Sequence, residues 1–344
     1  MATQKAIVLQ GEPGKAKLVT DRPRPRHRPG YLLVDVKAVA LNPTDFKHID
    51  YRNTKNALSG CDYAGVVKET GEGYTKDWKV GDRLAGFCHG GNELEHEDGA
   101  FSEVIAVKAD IAYKIPNDLS FEDASTLGVA LVTVGQGLFQ QMKLNWPTNP
   151  STSGDFLLIY GGSSAMGTMG IQFGKLAGYR VIATASKHNF DLVKSLGAEA
   201  AFDYKDSDVV DQIKKYTNGT LKYVWDTIAL PPTAEICAGA ISPGGTYGSI
   251  LQVEFPRDDV KTTFSLGYTA VGEPVKKWSF DYPDTTADFE WMKKFVKEVT
   301  DPLLAEGRLK VHPPLVNHGL ENVFEGLDLL RHDKVSGKKL VYTL

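Results

Sequence analysis

The sequence predicts an α/β protein of two domains, a β-rich domain first and then a doubly wound domain built on a parallel sheet. Three observations carry this expectation. A chain of 344 residues accommodates about two domains at roughly 100–200 residues each. Residues 1 to about 125 are short apolar or alternating runs punctuated by Gly, Pro and Asp, the pattern of strands and turns. From Phe156 the rhythm becomes strand, helix, strand, which argues for parallel strands covered by helices on both faces.

Taken in order, the runs Lys5–Leu9, Tyr31–Ala40, Gly65–Glu69, Arg83–Phe87 and Phe101–Val107 read as the strands of the first domain. Asn145 to Gly154 is too rich in Pro, Asn and Ser to be regular and reads as a surface loop. The second domain opens with strand Phe156–Tyr160 and a helix through Leu176. It continues with strand Arg180–Ala185, a helix near Phe190–Leu196, and strands Tyr223–Asp226 and Thr246–Leu251. A helix near Phe289–Ala305 and a closing strand Lys339–Tyr342 follow.

Composition narrows the function. Thirty-nine Lys and Arg against 43 Asp and Glu leave a formal charge of −4, without the basic surplus of a nucleic-acid binder. No signal-peptide pattern and no long apolar span is present, so a cytoplasmic protein that neither crosses nor binds membranes is expected. Cys61, Cys88 and Cys237 are too few and too widely spaced for a disulfide framework or a zinc ligand set. The 34 glycines, about 10% against about 7% in average usage, mark places of close backbone approach.

The most informative segment runs from Phe156 to Gly170. A buried strand enters a small-residue turn, Gly161-Gly162-Ser163-Ser164-Ala165-Met166-Gly167, and a helix opens behind it. Such a turn aims backbone N–H groups and a helix N-terminus at a pyrophosphate. Gly162 and Gly167 take the outer places of the dinucleotide fingerprint, with Ser164 in the middle one. Ser163, Ser164, Ala165 and Met166 are therefore candidate cofactor contacts.

An acidic residue about 20 positions on would favour NAD, but no Asp or Glu lies between Gly162 and Phe190. Ser186, Lys187, His188 and Asn189 stand there instead, donors suited to a 2′-phosphate, so NADPH is the expected cofactor. The alternative is a solvated helix cap led by Ser186. Tyr204 is a further candidate against the adenine or phosphate, or else an ordinary core or surface tyrosine.

Further motifs carry a resemblance. Asn42-Pro43-Thr44-Asp45, Gly60 to Val67, Val80 to Arg83, Gly99 to Glu103 and the turn at 161–167 resemble, in order and spacing, the medium-chain dehydrogenase/reductase superfamily over essentially the whole chain. That resemblance implies a GroES-like substrate domain, 1–127 with 309–344, interrupted by a Rossmann NADPH-binding domain at 128–308. Zinc members carry Cys and His-Glu ligands where this chain has Thr44 and Cys61-Asp62, and they carry a four-cysteine loop that is absent here, so no metal is expected. His89 and His96, with Glu93, Glu95, Glu97 and Asp98, form a local cluster read as an exposed loop rather than a metal site.

Pro43 to His48, Ser186 to Asp191, Gly197-Ala198-Glu199, Phe202-Asp203-Tyr204 and Val335 to Leu340 resemble, more specifically, the zinc-free trans-acting enoyl reductases of fungal polyketide synthases. The resemblance implies NADPH-dependent reduction of an α,β-unsaturated thioester on the acyl carrier domain of an iterative polyketide synthase or a synthase–peptide synthetase hybrid. It implies Lys47 and Thr133 as catalytic candidates, the latter in a segment that crosses the domain junction. It also implies cofactor contacts from Pro43, Asp45, Phe46, Lys47, His48, Ile250, Leu251, Val335 and Ser336. Substrate contacts would come from Ala130, Thr133, Val134, Gly137, Thr269, Ala270, Val271, Gly272 and Glu273. The plain alternatives are a surface lysine at 47, a Thr133 bonded to its own backbone, and core positions elsewhere. A monomer is expected, because Pro274 with Lys276-Lys277 would discourage pairing at a sheet edge. Two other functions stay open: a free-standing NADPH quinone or alkenal reductase, and a non-catalytic dinucleotide-binding protein.

Overall fold

Strand Phe156–Tyr160 is apolar at every position and buried at every position, as a central parallel strand covered on both faces must be. In the computed structural model, which describes residues 2–277 and 279–344, this strand lies inside a six-stranded sheet. The spatial order is Ala200–Phe202, Arg180–Thr184, Phe156–Tyr160, Leu221–Asp226, Thr246–Ser249 and Lys261–Phe264. All five pairings are parallel. The chain starts in the middle, moves to one edge, then returns to build the other half, the doubly wound order that leaves a switch point beside the first strand. Helices Ala165–Leu176, Phe190–Ser195, Val209–Thr217 and Pro231–Ala240 make the connections.

Trp225, fully buried, anchors one face of this unit. A Cβ added at Gly137 would lie 2.6 Å from its indole Nε1, and one at Gly170 would lie 2.6 Å from Cζ3. Gly137 is thus a packing glycine that lets the π-helical stretch Gly135–Gln141 approach the indole, rather than the channel residue expected. Ala130 and Val134 are likewise fully buried.

The β-rich unit centres on the ten-residue strand Tyr31–Ala40. Its sheet runs Pro314–His318, Lys339–Thr343, Tyr31–Ala40, Asp62–Glu69, Arg83–Phe87 and Tyr113–Lys114, with Val104–Lys108 also paired to Tyr31–Ala40. Thr3–Leu9 and Ala16–Pro23 form a separate antiparallel pair. The closing strand expected near Lys339 therefore sits within the sheet, between Pro314–His318 and Tyr31–Ala40. A buried ion pair ties it down: Lys339 Nζ is 2.7 Å from Asp62 Oδ2 and donates to Asn42 Oδ1 at 2.7 Å.

Two compact units result, one running to Val129 and resuming at Tyr268–Leu344, the other Ala130–Gly267. The expected return to the first domain at 309 differs from the observed one at Tyr268. The reason is packing: Glu273 pairs with Lys108 at 2.6 Å, Asp301 with Lys76 at 2.6 Å, and Tyr268 meets Thr44, all partners in the first unit. The edge strand expected beside Pro274 is also elsewhere. Val275–Lys277 pairs with Phe280–Tyr282 in a two-stranded ribbon, and Lys277 is buried, while the six-stranded sheet ends at Lys261–Phe264. The basis for expecting a monomer is therefore absent at that strand. The loop carrying His89 is not an exposed one: His89, Asn92 and Asp98 are buried, and Arg28 pairs with Asp98 and Glu95, leaving only His96 of the two histidines in solvent.

Candidate dinucleotide and acyl sites

In the doubly wound unit the turn after Phe156–Tyr160 is shaped by three constraints. Gly161 has φ +74°, where an L side chain is strained, and its Cβ would meet Thr227 Oγ1 at 2.7 Å. Gly162 packs on Ala183, 2.8 Å from where its Cβ would be. A Cβ at Gly167 would fall 2.7 Å from Gly162 Cα and closer still to Gly161 O, so the helix can start this near the strand only with glycine there. Backbone bonds from Gly161 N to Thr184 Oγ1 and from Gly162 N to Thr184 O lock the turn to the neighbouring strand.

Ser163, Ser164, Ala165 and Met166 are all half-buried and so present the turn to solvent. The Ser164 hydroxyl is not the free donor expected: it caps the helix, accepting from Gly167 N at 2.9 Å, and lies 2.9 Å from Thr227 Oγ1. Thr227, which also donates to Tyr160 O, is a residue that sequence reasoning missed. Its signal was its place immediately after strand Leu221–Asp226, beside the first glycine of the turn.

At the end of Arg180–Thr184, Ser186 donates to Tyr204 Oη at 3.3 Å, and Tyr204 is 38% exposed. Lys187 is exposed, with Nζ 3.2 Å from Asp206 Oδ1 and 4.0 Å from Asp203 Oδ2. His188 is exposed too, but Asn189 is buried and so stands apart from the donor group expected. Ser186, Lys187, His188 and Tyr204 therefore form an accessible donor set, with Asp206 competing for its cation. Ile250 and Leu251 follow directly on strand Thr246–Ser249 and are half-buried. Thr133 is half-buried, unlike its neighbours Ala130 and Val134.

In the β-rich unit the helix Pro43–Tyr51 begins with a capping box: Asn42 N donates to Asp45 Oδ2 at 2.7 Å. Pro43 at its first turn is exposed, and Thr44 and Lys47, one turn apart, are half-buried on one face. Partial burial lowers the Lys47 ammonium below the ordinary lysine range. Phe46 packs on the unit's core, with the Arg331 guanidinium 5.5 Å from its ring. Asp45 and His48, expected among the cofactor contacts, are fully enclosed. Asp45 serves the cap, burial pushing its carboxyl up to about 7, and His48 lies 3.2 Å from Tyr268 Oη. Neither is reachable from solvent in this structure.

Thr269, Ala270 and Val271 are buried, Gly272 packs on Phe289, and Glu273 is held by Lys108, so this stretch is mostly interior to its own unit. Val335 packs on the core and Ser336 is exposed.

The turn fits a pyrophosphate, since it offers half-buried backbone at a helix N-terminus with no acidic residue in the helix's first turn. A family model for an alcohol dehydrogenase GroES-like domain matches residues 28–117, and one for a zinc-binding dehydrogenase matches residues 165–268. The trans-enoyl reductase resD of Aspergillus sclerotiorum is 44% identical, covering 97% of this chain and 99% of its own. Trans-enoyl reductase TOXD of Cochliobolus carbonum is 50% identical over 79% of this chain and 92% of its own. Among solved structures, an alcohol dehydrogenase superfamily protein from Novosphingobium aromaticivorans superposes with TM-score 0.80 at 22% identity, covering all of both chains. CurK enoyl reductase does so with TM-score 0.77 at 20% identity, covering 99% of each; at these identities the two share the fold. A GroES-like unit, a Rossmann unit of the kind that takes a nicotinamide dinucleotide, and near full-length identity of 42–44% to named reductases lead to one conclusion: the chain belongs to the trans-enoyl reductases, oxidoreductases that act on carbon–carbon double bonds.

Proposed function

We propose that the protein reduces the α,β-double bond of a polyketide enoyl thioester, presented on the acyl carrier domain of a synthase that lacks a working reductase, with NADPH as reductant. The observation that supports this most is the near full-length relation to fungal trans-enoyl reductases. The accessible donor set Ser186, Lys187, His188 and Tyr204 favours the 2′-phosphate form of the cofactor. NADPH supplies the hydride that adds to the β-carbon, which the thioester carbonyl has made electron-poor.

The chain's own residues bind, orient and stabilise. The N–H groups at the start of helix Ala165–Leu176 hold the pyrophosphate, and Lys187 with Ser186 holds the 2′-phosphate. As hydride adds, negative charge moves onto the thioester oxygen. Lys47, half-buried and poorly hydrated, donates to that oxygen more strongly than a solvated lysine would. Thr133, one of two half-buried positions of its helix, donates to the cofactor amide or the acyl group. The enzyme works in the cytoplasm, where synthase and NADPH meet.

The test is kinetic. Purified protein is given NADPH with an enoyl group on carrier protein or pantetheine, and separately with a diffusible quinone. Higher kcat/KM for the thioester is the expected result. Preference for the quinone would replace the proposal with a free-standing quinone reductase, and tight NADPH binding without oxidation by any acceptor would make the protein a non-catalytic binder.

A further inference from the structure

Beneath Lys47 lies a buried polar cluster that the reaction described so far leaves unused. Thr44 Oγ1 is 2.5 Å from Tyr268 Oη and 3.3 Å from His48 Nε2, and Tyr268 Oη is 3.2 Å from His48 Nε2. The three groups close a triangle in which His48 and Tyr268 are buried and Thr44 is half-buried. Gly91 walls His48 in: a Cβ there would lie 2.9 Å from its Nδ1. Lys277 Nζ stands 3.7 Å from the centroid of the Tyr268 ring and 3.4 Å from His89 Nε2, and the His89 and Tyr268 rings pack at 4.4 Å. A lysine only 2% exposed is costly and asks for a reason.

The reduction needs a proton at the α-carbon after hydride has entered the β-carbon, a step that the roles given to Lys47 and Thr133 leave unassigned. Thr44 is one helical turn from Lys47 on the same half-buried face. Resting on the enoyl-reductase reading above, we propose that Thr44 is the catalytic donor to the α-carbon, that Tyr268 relays its proton to Thr44, and that Lys277 stabilises the charge left on Tyr268. The balance is closed. The α-carbon forms a C–H bond as the Thr44 O–H breaks, Thr44 takes the Tyr268 proton, and the resulting phenolate rests under the Lys277 ammonium. Water returns the proton after product leaves, so each turnover consumes one proton, one hydride and one double bond. The enolate carbon is a far stronger base than either hydroxyl, so the high phenol pKa that burial imposes on Tyr268 does not block transfer.

The relay depends on Lys277 carrying its charge. Desolvation lowers Lys277 to about 7, opposed by Cys61, Asp45 and Glu93 and helped by Arg52; His89, His48 and Tyr268 complete the groups facing it. The ammonium is present below about pH 7 and lost above, so kcat should fall as pH rises through neutrality.

The experiment uses the full chain, NADPH and a 2-methyl-enoyl pantetheine in D2O. Wild-type protein should place deuterium on one face of the α-carbon. Tyr268→Phe keeps the ring stack and should lower kcat about tenfold at unchanged KM, with deuterium entering both faces as solvent takes over. Lys277→Met should lose the decline of kcat above neutrality, and Lys277→Arg should keep kcat high into alkaline solution. NADPH titration and thermal melting report whether each variant retains its fold. If Tyr268→Phe fails to fold, Thr44→Val carries the same expectation and Thr44→Ser restores one-face labelling. Wild-type kcat and one-face labelling in Tyr268→Phe or Thr44→Val, or an unchanged pH profile in Lys277→Met, would overturn the relay. Failure of the wild-type protein to reduce the thioester would instead overturn the function beneath it.

Discussion

Lys187 provides the sharpest test of cofactor choice. Its side chain is 68% exposed and its ammonium stands 3.2 Å from Asp206 Oδ1. A charge-assisted bond to a phosphate contributes about 1.5–3 kcal/mol, and exposure with salt screening brings this one just below that range, to about 1.4 kcal/mol. Lys187→Ala should therefore raise the Kd for NADPH about tenfold and leave NADH within about twofold. Lys187→Asp should do more, because it adds a like charge beside the phosphate. In the free protein Lys187 is drawn to Asp206, and an exposed pair of this kind is worth up to about 1 kcal/mol. Asp206→Asn should consequently tighten NADPH binding about two- to fivefold by releasing the cation. Titration of both cofactors by fluorescence at fixed ionic strength reads each of these changes. Equal losses of NADPH and NADH in Lys187→Ala, or no gain in Asp206→Asn, would refute the 2′-phosphate role.

Gly167→Ala should cost about 2–4 kcal/mol of stability and abolish dinucleotide binding, because its Cβ meets the rigid backbone of Gly161 and Gly162; thermal melting and NADPH titration check it. Asp62→Asn should destabilise by about 3–5 kcal/mol, since it leaves Lys339 charged and buried, and the double variant Asp62→Leu with Lys339→Met should recover most of that loss in urea unfolding. Asp45 is pushed up to about 7 by burial, so the folded state holds its proton where the unfolded chain has released it. That contribution is complete below about pH 4 and is lost as pH rises through 7, so Asp45→Asn should flatten the fall in stability between pH 4 and 7 by about 2–4 kcal/mol.

The parallel sheet was readable because its central strand, Phe156–Tyr160, is apolar along its whole length and helices alternate with the strands that follow. The nucleotide turn was readable because close packing at Gly162 and Gly167 and a positive φ at Gly161 demand glycine, a constraint that leaves a letter in the sequence. Strand Lys261–Phe264 was not readable, since its polar residues reflect an edge position that only the topology creates. Ser164 was read only as a phosphate donor, and its second role was missed: its oxygen accepts from Gly167 N and so caps the helix, at the same place where a phosphate would be held. Asn189 and His48 looked like donors in a polar segment, yet both are buried, His48 against Gly91 and Tyr268 far along the chain. Lys277 is the extreme case: a lysine beside another lysine reads as a solvated edge, and nothing local announces the rings of Tyr268 and His89 that enclose it.

The placement of Lys339–Thr343 inside its sheet, between Pro314–His318 and Tyr31–Ala40, has a consequence for synthesis on the ribosome. The dinucleotide unit is one uninterrupted stretch, Ala130–Gly267, and its strands can pair as soon as that stretch has emerged. Strand Tyr31–Ala40 emerges far earlier, and although Val104–Lys108 covers its first half, its Ala38–Ala40 end must wait for a neighbour made about 300 residues later. Such long-range closure is slow, and an open apolar strand is exposed to wrong partners while it waits. Folding thus runs opposite to chain order: the unit Ala130–Gly267 matures first, and the β-rich unit, with Asp62 lacking its Lys339 cation until that strand is made, is completed after it.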